Sequence, residues 1–222
     1  MINILLVDDH RLFRLGVAKM LPERKGFKVV GEAEGAEQGV CEARKLRPHV
    51  VLMDILMPGI GGLEAISRIR RIDRHIKIIA LTACTSNPFP MQALKAGASG
   101  YLTKGVAPDE LHAAIRRVYL GKRYLCADVA RQLAEKAFDA YPDSPFDLLS
   151  GREMQIMLMI INCRKVSEIS ADLHLSPKTV NSYRYRIFEK LKVSGDVELV
   201  LLAVRHGMTQ IEPLTSSSNE LA

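Results

Sequence analysis

Three acids, a threonine and a lysine stand where apolar runs end, and those residue types in that arrangement suit phosphoryl chemistry. The stretch VVLMDILMPGIGG (50–62) carries four apolar residues straight into Asp54, and a Met-Pro-Gly break follows. A segment that apolar belongs inside a sheet, where an unpaired charge is expensive, so Asp54 needs a cation nearby. Asp8 and Asp9 end the first apolar run, Thr82 ends the fourth, and Lys104 follows the fifth. Three carboxylates brought together raise one another's pKa unless a cation joins them. Mg²⁺ fits that need, because it is small, hard and takes oxygen ligands. Lys104 would add positive charge and Thr82 a hydroxyl donor, which together describe a site for a transferable phosphoryl group with Asp54 as nucleophile. Singly, each residue has an ordinary reading: Asp8 and Asp9 as a helix cap, Lys104 as a solvated lysine, Thr82 as a strand residue.

These residues meet only if the surrounding elements bring them together. Strands are predicted at Ile2–Val7, Lys28–Ala33, Val50–Met53, Lys77–Leu81 and Ser99–Leu102, and helices at Leu12–Leu21, Ala36–Leu46, Leu63–Ile72, Met91–Ala96 and Glu110–Leu120. Five βα units predict a doubly wound α/β fold, a five-stranded parallel sheet with helices on both faces. Ligands of such sheets sit beyond the carboxyl ends of the strands, where the strand order reverses. With order 2-1-3-4-5, Asp8, Asp9 and Asp54 share one crevice at that reversal.

Bulk properties narrow the class. The chain has 222 residues and is 48% hydrophobic, enough for real cores. Its longest apolar runs, Ile156–Ile161 among them, are too short to span a bilayer, and MINILLVDDH reads as a first strand rather than a signal peptide. Cys41, Cys84, Cys126 and Cys163 form no CxxC pair, which suits reduced thiols and a cytoplasmic protein without a zinc site or disulfide frame. The net charge is +6, but it lies mostly in residues 1–123, with twenty basic against twelve acidic side chains; residues 151–222 are nearly balanced. Local patterning therefore has to locate any polyanion site. The expected division is 1–120, a linker at 121–145 with a helix near Val129–Phe138 and a hinge at AYPDSPFD (140–147), an all-α unit at 146–208, and a disordered tail at 209–222.

VDDH, VVLMDILMPG, IIALTA and GASGYLTKG, in this order, resemble the receiver domain of two-component response regulators over residues 1–120. The resemblance implies a flavodoxin-like fold and phosphorylation of Asp54 by a histidine kinase. It further implies that Asp9, Asp54 and the backbone carbonyl of Leu56 bind Mg²⁺, with Asp8 acting through water. Thr82 and Tyr101 match the family's switch pair, in which the tyrosine ring repacks inward on phosphorylation. Two departures stand out: Gly105 follows Lys104 where many receivers carry proline, and the two prolines of CTSNPFP (84–90) should shorten or delay the fourth helix.

The second half has a different logic. Ser150 and Glu153 form a capping-box pattern ahead of an apolar run. Val166, Ile169 and Leu173 line one short helix, His174-Leu175 turns the chain, and Ser176-Pro177 opens another helix whose buried stripe is Val180, Ile187 and Leu191. That is a helix-turn-helix, whose second helix enters the DNA major groove. Asn181, Ser182 and Tyr185 face away from the stripe and are of the kind that read base edges. Lys165, Lys178, Thr179 and Arg184 suit phosphate contacts, and Arg186 adds to the basic face. From pattern alone, a helical bundle with a solvated basic face remains open. LSGRE and KVSEISADLHLSPKTVNSYRYRIFEKL resemble the NarL/FixJ (LuxR-type) DNA-binding domain, a four-helix unit. Its last helix, Asp196–Arg205, is often a dimer contact in that family; Val197, Val200, Leu201 and Val204 serve either that contact or the domain's own core.

End to end, the chain resembles the GacA/UvrY/LetA subgroup, with SPKTVNSYRYRIFEKL, GDVELVLLAVRHG and TSNPFP the nearest stretches. The subgroup implies a BarA/GacS-type hybrid sensor kinase as partner, promoter DNA as ligand, a homodimer when phosphorylated, and activation of small regulatory RNA genes. The resting receiver is expected to occlude the recognition helix or keep the protein monomeric. A protein of this kind accepts a phosphoryl group with Mg²⁺ but is not a turnover enzyme. Haloacid-dehalogenase-like phosphatases place a second Asp two residues after the nucleophile, where this chain has Leu56. The alternative is a DNA-binding protein whose receiver serves dimerisation without phosphorylation.

Overall fold

A computed structural model describes residues 1–57, 59–82, 89–138, 144–206 and 208. Cys84, most of CTSNPFP, part of the AYPDSPFD hinge and the tail at 209–222 lie outside the described residues.

The N-terminal strands are β1 (Ile2–Val7), β2 (Phe27–Ala33), β3 (Val50–Asp54), β4 (Lys77–Thr82) and β5 (Gly100–Thr103). Helices α1 (Arg11–Met20), α2 (Ala36–Leu46), α3 (Gly61–Ile72), α4 (Phe89–Ala96) and α5 (Pro108–Tyr119) connect and follow them. All pairings are parallel. β3 is buried at every position, as its unbroken apolar run requires once both faces carry helices.

The sheet is six-stranded, in order β2-β1-β3-β4-β5-β6, which corrects the five-stranded expectation. The added strand is β6 (Tyr124–Leu125), from the expected linker. Gly121, at φ +81, turns the chain out of α5, and Tyr124 and Cys126 then donate to the carbonyls of Ser99 and Tyr101 at 3.1 and 3.2 Å. Two residues are too few to show a period, so no strand signal could appear in the sequence. α6 (Ala127–Phe138) follows. α4 has only eight residues and begins at Phe89, consistent with Pro90 being tolerated in a first turn.

The C-terminal unit contains α7 (Gly151–Ile161), α8 (Val166–Leu173), α9 (Pro177–Leu191) and α10 (Asp196–Arg205). Ser150 and Glu153 form the full capping box. Glu153 is buried, and burial alone would raise its pKa; hydrogen bonds from Lys190 and Ser150 outweigh that and hold it below the usual carboxylate range. Lys190 Nζ lies 2.6 Å from Glu153 Oε2, tying α9 to the start of α7. His174 takes the left-handed conformation at φ 52 and makes the tight turn between α8 and α9. Val180, Ile187 and Leu191 are the buried residues of α9, as their spacing predicts. In α10 the fully buried residues are Leu199 and Ala203, whereas Val197 and Leu201 are 75% and 50% exposed. Among the described residues, no helix is long and apolar enough to cross a membrane.

Candidate functional site

The carboxyl ends of β1 and β3 lie side by side, with Val7 paired to Met53, so the residues that follow each strand meet. Asp8 and Asp54 are 2% and 1% exposed, while Asp9 lies nearer solvent. Ligand atoms of Asp8, Asp9, Asp54 and His10 all fall within 4.8 Å of one another. Lys104 enters from the end of β5: its Nζ is 2.7 Å from Asp54 Oδ2 and 2.9 Å from Asp8 Oδ2. The Lys104 N–H donates to the Thr82 carbonyl at 2.7 Å, which brings the β4 and β5 ends together. Thr82 is buried at the end of β4.

The charges do not balance inside this crevice. Three carboxylates face one lysine, leaving two negative charges over when His10 is not counted. Burial pushes the Asp54 carboxyl up to about 6 from 3.8; Lys104 pulls it down only in part, and Asp8 pushes it up again. Burial would lower the Lys104 pKa, but the Asp54 and Asp8 carboxylates outweigh it and raise it. The donor set is therefore oxygen-rich, anionic and only partly compensated, which fits a small hard divalent ion.

Several positioning features were not legible in the sequence. Leu56 donates its N–H to Asp54 Oδ1 at 3.1 Å, fixing the carboxylate. Gly62 lets the first turn of α3 approach β3: a Cβ there would lie 1.9 Å from the Asp54 carbonyl oxygen. Phe13 of α1 puts its ring 5.1 Å from Lys104 Nζ, a cation–π contact. His10, at the start of α1, makes no side-chain cap and turns its Nδ1 to 2.9 Å from Asp9 Oδ1. The Gly62 and Phe13 contacts join different elements, which no local period records, and the Leu56 and His10 contacts lie in loops at the strand ends. Tyr101 lies opposite Ala80 in the β4–β5 register and is fully buried.

On α9, Lys178, Ser182, Tyr185 and Arg186 are exposed, with Tyr185 at 71%; Lys165, before α8, is exposed too. The receiver does not cover these side chains in this structure, where the expectation is either occlusion or a monomeric resting state. Thr179 is half-buried and shares a 2.8 Å hydrogen bond with the Ser176 hydroxyl at the helix start. Arg184 is placed differently from a free phosphate contact: it pairs with Asp196 Oδ2 at 2.6 Å and donates to Asn181 Oδ1 at 3.0 Å. Asn181 is consequently half-buried and oriented by Arg184.

The two halves meet through α7 instead. Buried Gln155 donates to the carbonyl of Ile60, in the loop after Asp54, and accepts from Arg152. Arg152 also lies 3.6 Å from Glu64 of α3, and buried Gln92 of α4 donates to the Leu149 carbonyl at 2.8 Å. A cavity of about 480 Å³ lies along this seam, with Asp9 and Leu56 on one side and Leu158 and Arg164 on the other.

A phosphoacceptor-like acid crevice on a doubly wound sheet, joined to a helix-turn-helix, defines a response regulator with an attached DNA-binding domain. Residues 4–116 match the response regulator receiver domain, and residues 147–203 match the bacterial regulatory proteins of the luxR family. The response regulator GacA of Pseudomonas protegens is 57% identical over 208 residues, covering 94% of this chain and 98% of that protein. The response regulator UvrY of Escherichia coli is 55% identical over 217 residues, covering 97% of this chain and 100% of that one. RcsB of Salmonella enterica serovar Typhimurium, solved bound to promoter P1flhDC in the presence of phosphomimetic BeF3-, superimposes with TM-score 0.73 at 27% identity, over 90% of this chain and 97% of that chain. The chain belongs to the two-component response regulators with a LuxR-type DNA-binding domain, in the subgroup of GacA and UvrY.

Proposed function

We propose that a sensor histidine kinase phosphorylates Asp54, and that this controls sequence-specific promoter binding by α9 and transcription activation. The observation that carries the reading is the buried Asp54 carboxylate, 2.7 Å from Lys104 and within 4.8 Å of the acids that follow β1. In the transfer, an Asp54 oxygen attacks the phosphorus of the kinase phosphohistidine. The new O–P bond forms as the N–P bond breaks, and the imidazole nitrogen keeps the electron pair and takes a proton. Asp9, Asp54 and the Leu56 carbonyl would hold Mg²⁺, with Asp8 supporting the site. When bound, the ion supplies charge neutralisation for the phosphoryl oxygens. Lys104 stabilises the same oxygens from the β5 side and Thr82 offers a hydroxyl donor. Tyr101 pairs with Thr82 as the switch, and the loop after Asp54, bonded by Gln155, links the crevice to the second half.

The working division is a receiver at 1–120, a linker at 121–145 and a DNA-binding domain at 146–208. Lys178, Arg186 and Lys165 contact phosphates, Ser182, Tyr185 and Asn181 read bases, and Thr179 and Arg184 support that face. Relatedness to GacA and UvrY favours a BarA/GacS-type hybrid kinase, small regulatory RNA genes as targets, a phosphorylated homodimer and a cytoplasmic site of action. The protein accepts a phosphoryl group and has no turnover activity of its own.

The direct test is intact mass after incubation with acetyl phosphate and Mg²⁺. A single phosphoryl adduct is expected in the wild type and none in Asp54→Asn or with the divalent ion chelated. An adduct that survives Asp54→Asn contradicts the assignment.

A further inference from the structure

We propose that Arg14 is the positioning residue of the acid crevice: by holding the Asp8 carbonyl it fixes the turn that aims Asp8 and Asp9, and so sets the crevice's affinity for its divalent ion. The inference rests on the phosphoacceptor reading and adds a residue that touches neither ion nor phosphoryl group.

Arg14 lies in the second turn of α1 and is only 5% exposed. Its Nη1 donates to the Asp8 carbonyl at 2.7 Å. Its Nη2 donates to Glu34, and its Nε lies 3.6 Å from Glu32 Oε2. Both glutamates belong to the carboxyl end of β2 and the residue just beyond it. Asp8 is also held directly from β2, through its own N–H to the Ala33 carbonyl at 3.1 Å. The His10 N–H closes the turn by donating to Asp8 Oδ1 at 2.8 Å. The Asp8–Asp9 turn is thus anchored to β2 twice, once by backbone and once through the guanidinium.

Stability does not explain a buried arginine well. Replacing buried ionic groups with apolar ones of similar volume is often neutral or stabilising. A guanidinium does what an ammonium cannot: its planar fork addresses partners on two strands at once, in fixed geometry. Because it bonds the main chain of Asp8, the carboxylates stay available to the ion and to Lys104. Groups that orient metal ligands in this way affect affinity at a distance from the metal.

The test uses the full chain, with Mn²⁺ binding followed by electron paramagnetic resonance, Mg²⁺ by competition, and acetyl phosphate labelling measured across Mg²⁺ concentrations. Arg14→Met is expected to weaken ion binding about tenfold or more. Its labelling rate at saturating Mg²⁺ should stay close to wild type. Arg14→Lys, which keeps the charge but loses the fork, should recover only part of the affinity; full recovery overturns the geometric account. Unchanged ion binding in Arg14→Met, or a reduced maximal rate with an unchanged Mg²⁺ constant, also overturns it. Should Arg14→Met not fold, Glu32→Ala with Glu34→Ala leaves the arginine but removes its outer anchors. That variant must bind the ion more weakly, and equal binding refutes the proposal. A wild type that binds Mn²⁺ yet never acquires a phosphoryl group sinks the phosphoacceptor reading instead.

Discussion

Asp54 carries the clearest single-residue consequence. Its carboxyl titrates near 6 in the fold against an ordinary 3.8, so the folded state binds the proton more tightly than the unfolded chain does. A raised carboxylate works against folding once pH exceeds the unfolded value: the burden begins near pH 4, grows as pH rises through 6, and is complete above it. In metal-free protein, Asp54→Asn should therefore be more stable than wild type at pH 7, by about 3 kcal/mol, with the difference vanishing near pH 4. Denaturant unfolding at the two pH values in chelator checks this, and saturating Mg²⁺ should narrow the gap. The five residues read first from the sequence, Asp8, Asp9, Asp54, Thr82 and Lys104, were legible because each ends or follows an apolar strand pattern. Arg14, Phe13 and Gly62 were not, because each takes its meaning from a neighbour on another element. Gly62 looks like loop punctuation until the Asp54 carbonyl is seen against it.

Strands and helices with strong periods came through almost residue for residue: α2 has the predicted bounds and β1 is Ile2–Val7 in both, while α10 has the bounds that the resemblance implied. β6 did not, since edge pairing by two residues follows from the end of α5 rather than from its own composition. The helix-turn-helix was legible from its cap residues and stripe, but the engagement of Arg184 by Asp196, twelve residues on, was not. That pairing refines the expectation for DNA. Lys178→Ala should weaken binding to specific and random sites alike and lower the salt slope by about one. Asn181→Ala should cost about 1–3 kcal/mol on the specific site and little on random DNA. Fluorescence anisotropy across a salt series separates the two; equal losses on both DNAs for both variants contradict the assignment of the α9 face.

At the scale of the whole molecule, the arrangement of the two halves had no local signal at all. Gln92 and Gln155 read as ordinary polar residues of two helices, yet both are buried at the seam, and Gln155 bonds the loop that follows Asp54. The seam leaves the outer face of α9 open, which under the proposed function favours regulation through how the DNA-binding domain is held and paired. Gln92→Ala with Gln155→Ala should loosen that hold: small-angle scattering is expected to report a larger radius of gyration, and DNA affinity should depend less on phosphorylation. Unchanged dimensions and unchanged phosphate dependence would show the seam to be incidental. The most direct measurement of the account is the affinity of the full chain for a specific promoter fragment, with and without acetyl phosphate and Mg²⁺, in wild type and Asp54→Asn. The prediction is tighter binding on phosphorylation in the wild type alone. Equal affinity in all four conditions contradicts it.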